Sequence, residues 1–235
     1  MSECRPARIA ALRDALIAAH IDALVLTSLP NVRYLTGFSG SSALVLVTQR
    51  ELHFISDFRY DVQARDEVGT LASIRIESQS LWTGLWNLLA SLSGVEVIGF
   101  ESAHLLHRDF QRLLTEGTRY QWRPQLNLVE TLRESKDEDE VALIRHAGVI
   151  AINALKKTLD AIRPGMTELN VAGVLEHALR DEGSEEFPFP AIVASGPRAA
   201  LPHARASSRV IQPDELLLLD FGAQYKGYCS DITRT

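Results

Sequence analysis

The sequence predicts two consecutive domains: an α/β domain with a mixed sheet over residues 1–130, and an α+β domain over residues 131–235. Three observations carry this reading. Apolar runs of strand length alternate with helical periodicities through the first half, the pattern of helices laid on a sheet. A charge run from Arg133 to Glu140 interrupts that alternation. Beyond it, two amphipathic helices follow one another directly and give way to apolar strands, a different order of elements.

Ile9, Leu12, Leu16 and Ile17 recur at helical spacing among alanines and open the chain with a helix. Asp22–Thr27 reads as a strand. Leu44–Val47 and Leu52–Ile55 read as two more, joined by the polar Thr48–Glu51 as a hairpin connection. Asn31–Gly40 reads as an intervening loop packed by Tyr34 and Phe38. Within Asp57–Tyr60, a pairing of Asp57 with Arg59 gives a structural account. Ile74 and Ile76 alternate with polar residues in a strand, a helix carries Leu81, Leu85, Leu88 and Leu89, and Val95–Phe100 forms a strand. Leu105, Leu106, Phe110, Leu113 and Leu114 mark another helix, closed by Gly117.

The boundary falls between Leu128 and Lys136. Ser135 followed by Glu138 makes a capping box at the start of a helix whose inner face holds Val141, Ile144, Ala151, Leu155, Leu159 and Ile162. Arg163-Pro164-Gly165 stops it, and Thr167 caps the next helix, which runs through Leu169, Val174, Leu175 and Leu179 to Gly183. His146 and His177 lie in these helices without a partner at ligand spacing and read as packing or surface residues. Phe187–Gly196 is an apolar strand entered through prolines, and a loop containing His203 follows.

Composition sets limits on function. In 235 residues, 46% hydrophobic and 23% charged are ordinary for a globular protein. A net charge of −6 and a pI near 5.7 oppose nucleic-acid binding through phosphate neutralisation. No apolar run reaches membrane-spanning length, and Met1–Pro6 lacks an apolar signal region. The two cysteines, Cys4 and Cys229, are far apart and suggest no disulfide framework, which leads us to expect a cytoplasmic protein.

The last twenty residues hold the chemistry. Leu216–Leu219, read as a strand buried on both faces, ends on Asp220; a Gly-containing turn follows, and a second strand carries Asp231. With the turn centred between Tyr225 and Lys226, Asp220 faces Asp231 across the ribbon. Cβ atoms so opposed lie roughly 4.5–5.5 Å apart, and like charges there repel. A divalent cation between them relieves the repulsion; a solvated hairpin rim is the other reading.

The residues Asp220-Phe-Gly-Ala223, Gly227-Tyr228 and Ser230-Asp-Ile-Thr-Arg-Thr235 resemble the first metal-ligand motif of the pita-bread metallopeptidases, in the Xaa-Pro aminopeptidase and prolidase branch. Asn31–Phe38 resembles a segment of the creatinase-type N-terminal domain. Lys136-Asp137, Pro164–Glu168 and the Ser195–His203 pattern resemble parts of the pita-bread domain. Pro213-Asp214 stands where the family often has Gly-Asp, a departure that bears on turn geometry.

The resemblance implies metal-dependent hydrolysis of the bond between an N-terminal residue and proline, with proline-containing peptides as substrates. It implies two divalent ions (manganese, cobalt or zinc), with Asp220 and Asp231 among their ligands. His203 would hydrogen-bond the substrate or the developing oxyanion, and Tyr34 is a weaker substrate-contact candidate. It also implies a homodimer, and neither nucleic-acid nor membrane partners are expected. In the family the remaining ligands, a His and two Glu, lie downstream, whereas this chain stops at Thr235. We therefore expect an incomplete pita-bread domain and an inactive 235-residue chain, its last strand left as an aggregation-prone edge. The alternatives are a pita-bread binding module without peptidase activity and a creatinase-like metal-free hydrolase; retention of both aspartates opposes the latter.

Overall fold

The computed structural model describes residues 4–235, so Met1, Ser2 and Glu3 of the opening segment lie outside the described residues. The chain divides into two units between Ser135 and Lys136. Residues 131–135 therefore belong with the first unit.

The first unit is a six-stranded mixed sheet with helices. In chain order it contains α1 (Arg5–Ala18), β1 (Ala23–Leu26), α2 (Leu29–Thr36), β2 (Ala43–Thr48), β3 (Leu52–Asp57), α3 (Asp61–Glu67) and β4 (Ser73–Glu77). Then come α4 (Leu81–Ser91), β5 (Val97–Glu101), α5 (His107–Glu116), β6 (Gln121–Gln125) and α6 (Leu128–Glu134). The sheet order is β4-β3-β2-β1-β5-β6. β1–β2 and β2–β3 are antiparallel, the latter pairing Val47 with Leu52 across the expected hairpin; the remaining neighbours are parallel. β1 is buried throughout because its alternate residues serve two cores. Leu24 and Leu26 join Ile9, Leu12 and Leu16, whereas Ala23 and Val25 join Leu85, Leu88 and Leu89.

Several elements depart from the sequence reading, among them the seven-residue helix α6, which lies where only a domain boundary is expected. Asn31–Thr36, expected as loop, lies within helix α2, which ends on Gly37 at φ +80, a conformation that favours glycine. An eight-residue helix is too short to show a periodicity. The seven-residue α3 is too short for the same reason. β6 was hidden because Gln121-Trp122-Arg123-Pro124-Gln125 is polar and contains proline, which suits an edge strand.

Asn31 ties the Asn31–Phe38 segment into the first unit. Asn31 is fully buried and donates to Glu101 at 2.6 Å and to Glu130, while its oxygen accepts from Arg133 at 2.7 Å. Glu101 also accepts the amide of Ser28 at 2.7 Å. These bonds join the end of β5, the start of α2, and α6. The guanidinium of Arg59 grips Asp57 through two 2.8 Å bonds, which hold the Asp57 carboxyl well below the usual carboxylate range.

The second unit contains α7 (Glu138–Ala161), α8 (Glu168–Asp181) and five short strands: β7 (Ile192–Ser195), β8 (Leu217–Phe221), β9 (Gln224–Tyr225), β10 (Tyr228–Cys229) and β11 (Ile232–Arg234). An antiparallel sheet runs β11-β8-β7, and β9 pairs with β10. Ile150, Ala151, Ala154 and Leu155 of α7 join Val171, Leu175 and Leu179 of α8 over Val193, Leu219 and Phe221. Leu159, expected inside, is 54% exposed, because the buried stripe of α7 continues through Thr158. The cap of α7 is Asp137 with Glu140, not Ser135 with Glu138. The acidic run offers both registers. The one adopted buries Glu140, which also accepts from Tyr228 Oη at 2.7 Å. Thr167 caps α8, boxed by Asn170. No helix among the described residues is long and apolar enough to cross a membrane.

Candidate metal centre

Both carboxylates ride on the ribbon formed by β8–β11. Its turn is Lys226-Gly227, with φ +47 and +79, both residues left-handed as a two-residue hairpin turn requires. The turn thus lies one residue later than the sequence reading placed it. Tyr225 pairs with Tyr228, and the same register carries down the ribbon to pair Phe221 with Ile232 and Asp220 with Thr233. Asp220 therefore does not face Asp231 directly; continuing the register puts Gly222 opposite Asp231.

A shift of two residues preserves the face. In a regular ladder that step makes Asp220 and Asp231 diagonal positions of one face; Gly222, Ala223, Ser230 and Asp231 themselves lie between the β9–β10 and β8–β11 pairings, outside the strands. Gly222 places no side chain between them. A Cβ there would collide with the carbonyl oxygen of Ser230, so the close approach of the two strands requires glycine. β8 is not buried on both faces either. Leu219 and Phe221 enter the core, whereas Leu218 and Asp220 are half-buried and Leu216 is exposed.

Several side chains hold the ribbon. Ser230 Oγ donates to Ala147 O of α7 at 3.1 Å and accepts from the Ala223 amide at 3.1 Å. The Glu185 carboxylate takes both turn amides, Lys226 at 2.8 Å and Gly227 at 3.1 Å. The rings of His146 and Tyr225 lie 4.1 Å apart, and His177 sits 3.5 Å from Asp181 on the exposed side of α8. Both histidines occupy packing or surface positions. β11 is an edge strand, paired with β8 on one side.

The β7–β8 connection carries His203 on an exposed turn after a short 3-10 helix, Gly196–Ala200. Next to it, Ala204 is buried. Among the described residues no group of three or more His, Cys, Asp or Glu is placed to hold a metal ion, so His203 is not a third ligand beside the aspartates. Thr233 Oγ1 donates to Asp220 Oδ1 at 3.1 Å. That bond orients one carboxylate oxygen, as an outer partner of a metal site does. The pair fits as two members of a larger set of oxygen donors. Tyr34, the weaker substrate candidate, belongs to the core of the first unit. The residue is 8% exposed, Arg8 lies 4.2 Å from the centre of its ring, and its hydroxyl donates to Leu132 O at 3.4 Å.

Two anchors were not evident in the sequence. Glu168 is buried beneath the His203 loop and accepts from Ser195, Ser207 and Arg198. Arg209 pairs with Glu215 at 2.7 Å and with Ser195 Oγ, holding the Glu215 carboxyl down to about 2. The one available signal was the Thr-Glu pair opening α8, where Glu168 follows a capping residue.

Residues 8–135 match the Creatinase/Prolidase N-terminal domain, and residues 142–235 match Metallopeptidase family M24. This chain belongs to the creatinase/prolidase branch of the M24 metallopeptidases. As a family member it is 38% identical over 224 residues to the uncharacterized peptidase YqhT of Bacillus subtilis, covering 95% of this chain and 63% of that protein. It is 30% identical to the Xaa-Pro dipeptidase of Pyrococcus horikoshii, covering 92% of this chain and 59% of the relative. The structure of the Xaa-Pro dipeptidase from Bacillus anthracis superposes with a TM-score of 0.92 at 36% identity, over 98% of this chain and 64% of that one. X-Pro aminopeptidase from Thermotoga maritima gives 0.86 at 33% identity, over 92% and 62%. The family member described here thus spans about three-fifths of its relatives' length. Its second unit corresponds to part of a pita-bread domain.

Proposed function

We propose that the protein is a metal-dependent exopeptidase that hydrolyses the bond between an N-terminal residue and proline, as an Xaa-Pro aminopeptidase or dipeptidase, with this chain carrying part of the active site. What supports the reading is the carboxylate pair Asp220 and Asp231 borne by one hairpin ribbon, in a register that pairs Asp220 with Thr233, within the M24-matched segment. Carboxylate pairs suit divalent ions such as manganese, cobalt or zinc. Asp220 and Asp231 would hold two such ions together with ligands beyond this chain. When bound, the ions supply Lewis-acid polarisation and make water a competent nucleophile near neutral pH. His203 donates a hydrogen bond to the substrate carbonyl and steadies the negative charge that develops on it. Proline is selected because its peptide bond lacks an N–H and its ring needs a pocket that fits it. Two carboxylates alone make a poor site, so the 235-residue chain by itself binds metal weakly and is inactive. Homodimerisation and a cytoplasmic location accompany this reading.

The test is hydrolysis of an Xaa-Pro dipeptide and an Xaa-Pro-Yaa tripeptide, with and without manganese. It is run with this chain alone and with any residues its gene encodes beyond Thr235. Manganese-dependent cleavage is expected from any longer form and none from this chain alone. Dipeptide-only cleavage identifies a prolidase, and tripeptide cleavage an aminopeptidase. No cleavage with manganese, cobalt or zinc would refute the proposal.

A further inference from the structure

We infer that Glu168 is the positioning residue for His203, pinning the loop that carries it on both sides of that residue; the inference rests on the role proposed for His203. The loop leaves β7 at Ser195 and returns to β8 at Leu217, a length over which a surface connection ordinarily wanders. Glu168 is the first residue of α8, and its side chain is 0% exposed. Oε1 accepts from Ser195 N at 2.8 Å and Ser195 Oγ at 2.9 Å. Oε2 accepts from Ser207 N at 3.0 Å and Ser207 Oγ at 2.7 Å. Ser195 and Ser207 bracket His203, so one carboxylate holds both sides of it.

A third contact crosses the loop. Arg198 Nε approaches both carboxylate oxygens, at 3.3 and 3.1 Å, while its Nη2 donates to Arg205 O at 2.6 Å, two residues past His203. The backbone agrees, with the Glu168 amide bonded to Arg209 O and the Leu169 amide to Ser207 O, each at 3.0 Å. A buried carboxylate is costly unless well supplied with donors. Here every one of these side-chain and amide donors belongs to the loop or its β7 end. Burial works against ionisation, but the bonds from Ser207 and Ser195 outweigh it and hold the pKa below the usual value, so the clamp is charged at neutral pH.

The test compares Glu168→Gln and Arg198→Met with the wild-type 235-residue chain, each checked for folding by circular dichroism. Two readouts report on the loop: the His203 Cε1–H resonance, and the rate of tryptic cleavage after Arg205. Glu168→Gln should accelerate that cleavage at least about tenfold, as expected for losing a charge-assisted bond from a local opening equilibrium, and should move the His203 resonance toward its unfolded position. Arg198→Met should do the same to a smaller degree, and it decides the matter alone if Glu168→Gln fails to fold. Unchanged cleavage and resonance in a folded variant would overturn the inference. In whatever form of the protein hydrolyses Xaa-Pro peptides, Glu168→Gln should lower kcat about tenfold or more with KM changed little, because the aligned donor acts in the transition state. A lowered melting temperature with kcat intact would mean a structural clamp only and would also overturn it. If no form hydrolyses these peptides, the role of His203 fails, whereas the two loop readouts still decide whether Glu168 positions it.

Discussion

Thr233 stands directly across the ribbon from Asp220 and donates a 3.1 Å hydrogen bond to Oδ1. The first carboxylate thus meets a hydroxyl, and the second lies on the diagonal. The bond fixes the rotation of the Asp220 side chain while leaving Oδ2 for another partner.

Replacing that hydroxyl should be felt in metal binding. In whatever form of the protein hydrolyses Xaa-Pro peptides, Thr233→Val is expected to weaken manganese affinity about tenfold, in the range typical of lost outer-shell bonds, whereas Thr233→Ser should stay near wild type. Asp231→Asn should weaken it further than either. Manganese titration followed by electron paramagnetic resonance of the free ion measures all three; equal affinities for the Thr233→Val and Thr233→Ser proteins would show that the bond does not orient the ligand.

The hairpin turn carries an avoidable cost. Lys226 adopts φ +47, a conformation in which Asn is far better accommodated. Lys226→Asn should stabilise the second unit by about 0.5–1 kcal/mol, and Gly227→Val should destabilise it by at least about 1 kcal/mol. Urea denaturation followed by tyrosine fluorescence resolves both signs.

Ser230 is buried and joins the ribbon to α7 through the Ala147 carbonyl, while accepting the Ala223 amide. Ser230→Ala removes both bonds and should cost about 1–3 kcal/mol. Hydrogen exchange at the Ala223 amide should accelerate accordingly. A stability within experimental error of wild type would contradict this.

Acid sensitivity of the first unit should have a contribution from His53 in β3. It is buried, and its Nε2 lies 3.0 Å from Glu51. Burial lowers its pKa below the ordinary 6.5 and Arg75 adds to this, while Glu51 acts in the opposite sense. Because the folded value lies below the unfolded one, stability is fully present above the unfolded pKa and falls as pH drops through it toward the folded value. His53→Leu should therefore flatten the loss of melting temperature between about pH 7 and about pH 5. Parallel curves for the two proteins would exclude His53 as a source of the slope.

Much of this protein was legible in its sequence, because periodicity and turn chemistry are local. The helices α1, α4, α5, α7 and α8 and the strands β1 to β5 follow from apolar spacing, and the cap at Thr167 and the stop at Pro164-Gly165 follow from residue type. The family wording around Asp220 and Asp231 was equally plain. The tertiary structure decided what depends on long-range partners. Ribbon register is one example: a turn displaced by one residue shifts cross-strand pairing by two, and Ser230 on Ala147, with Glu185 on the Lys226-Gly227 amides, hold the register adopted. The choice of Asp137 over Ser135 as a cap is another, made where Tyr228 meets Glu140. Glu168 is the clearest case, since its donors Ser195, Arg198 and Ser207 lie about thirty to forty residues away in the chain. A one-dimensional pattern records which face of an element is apolar; it does not record which distant amides a buried carboxylate will gather, because those bonds exist only after the chain has closed on itself.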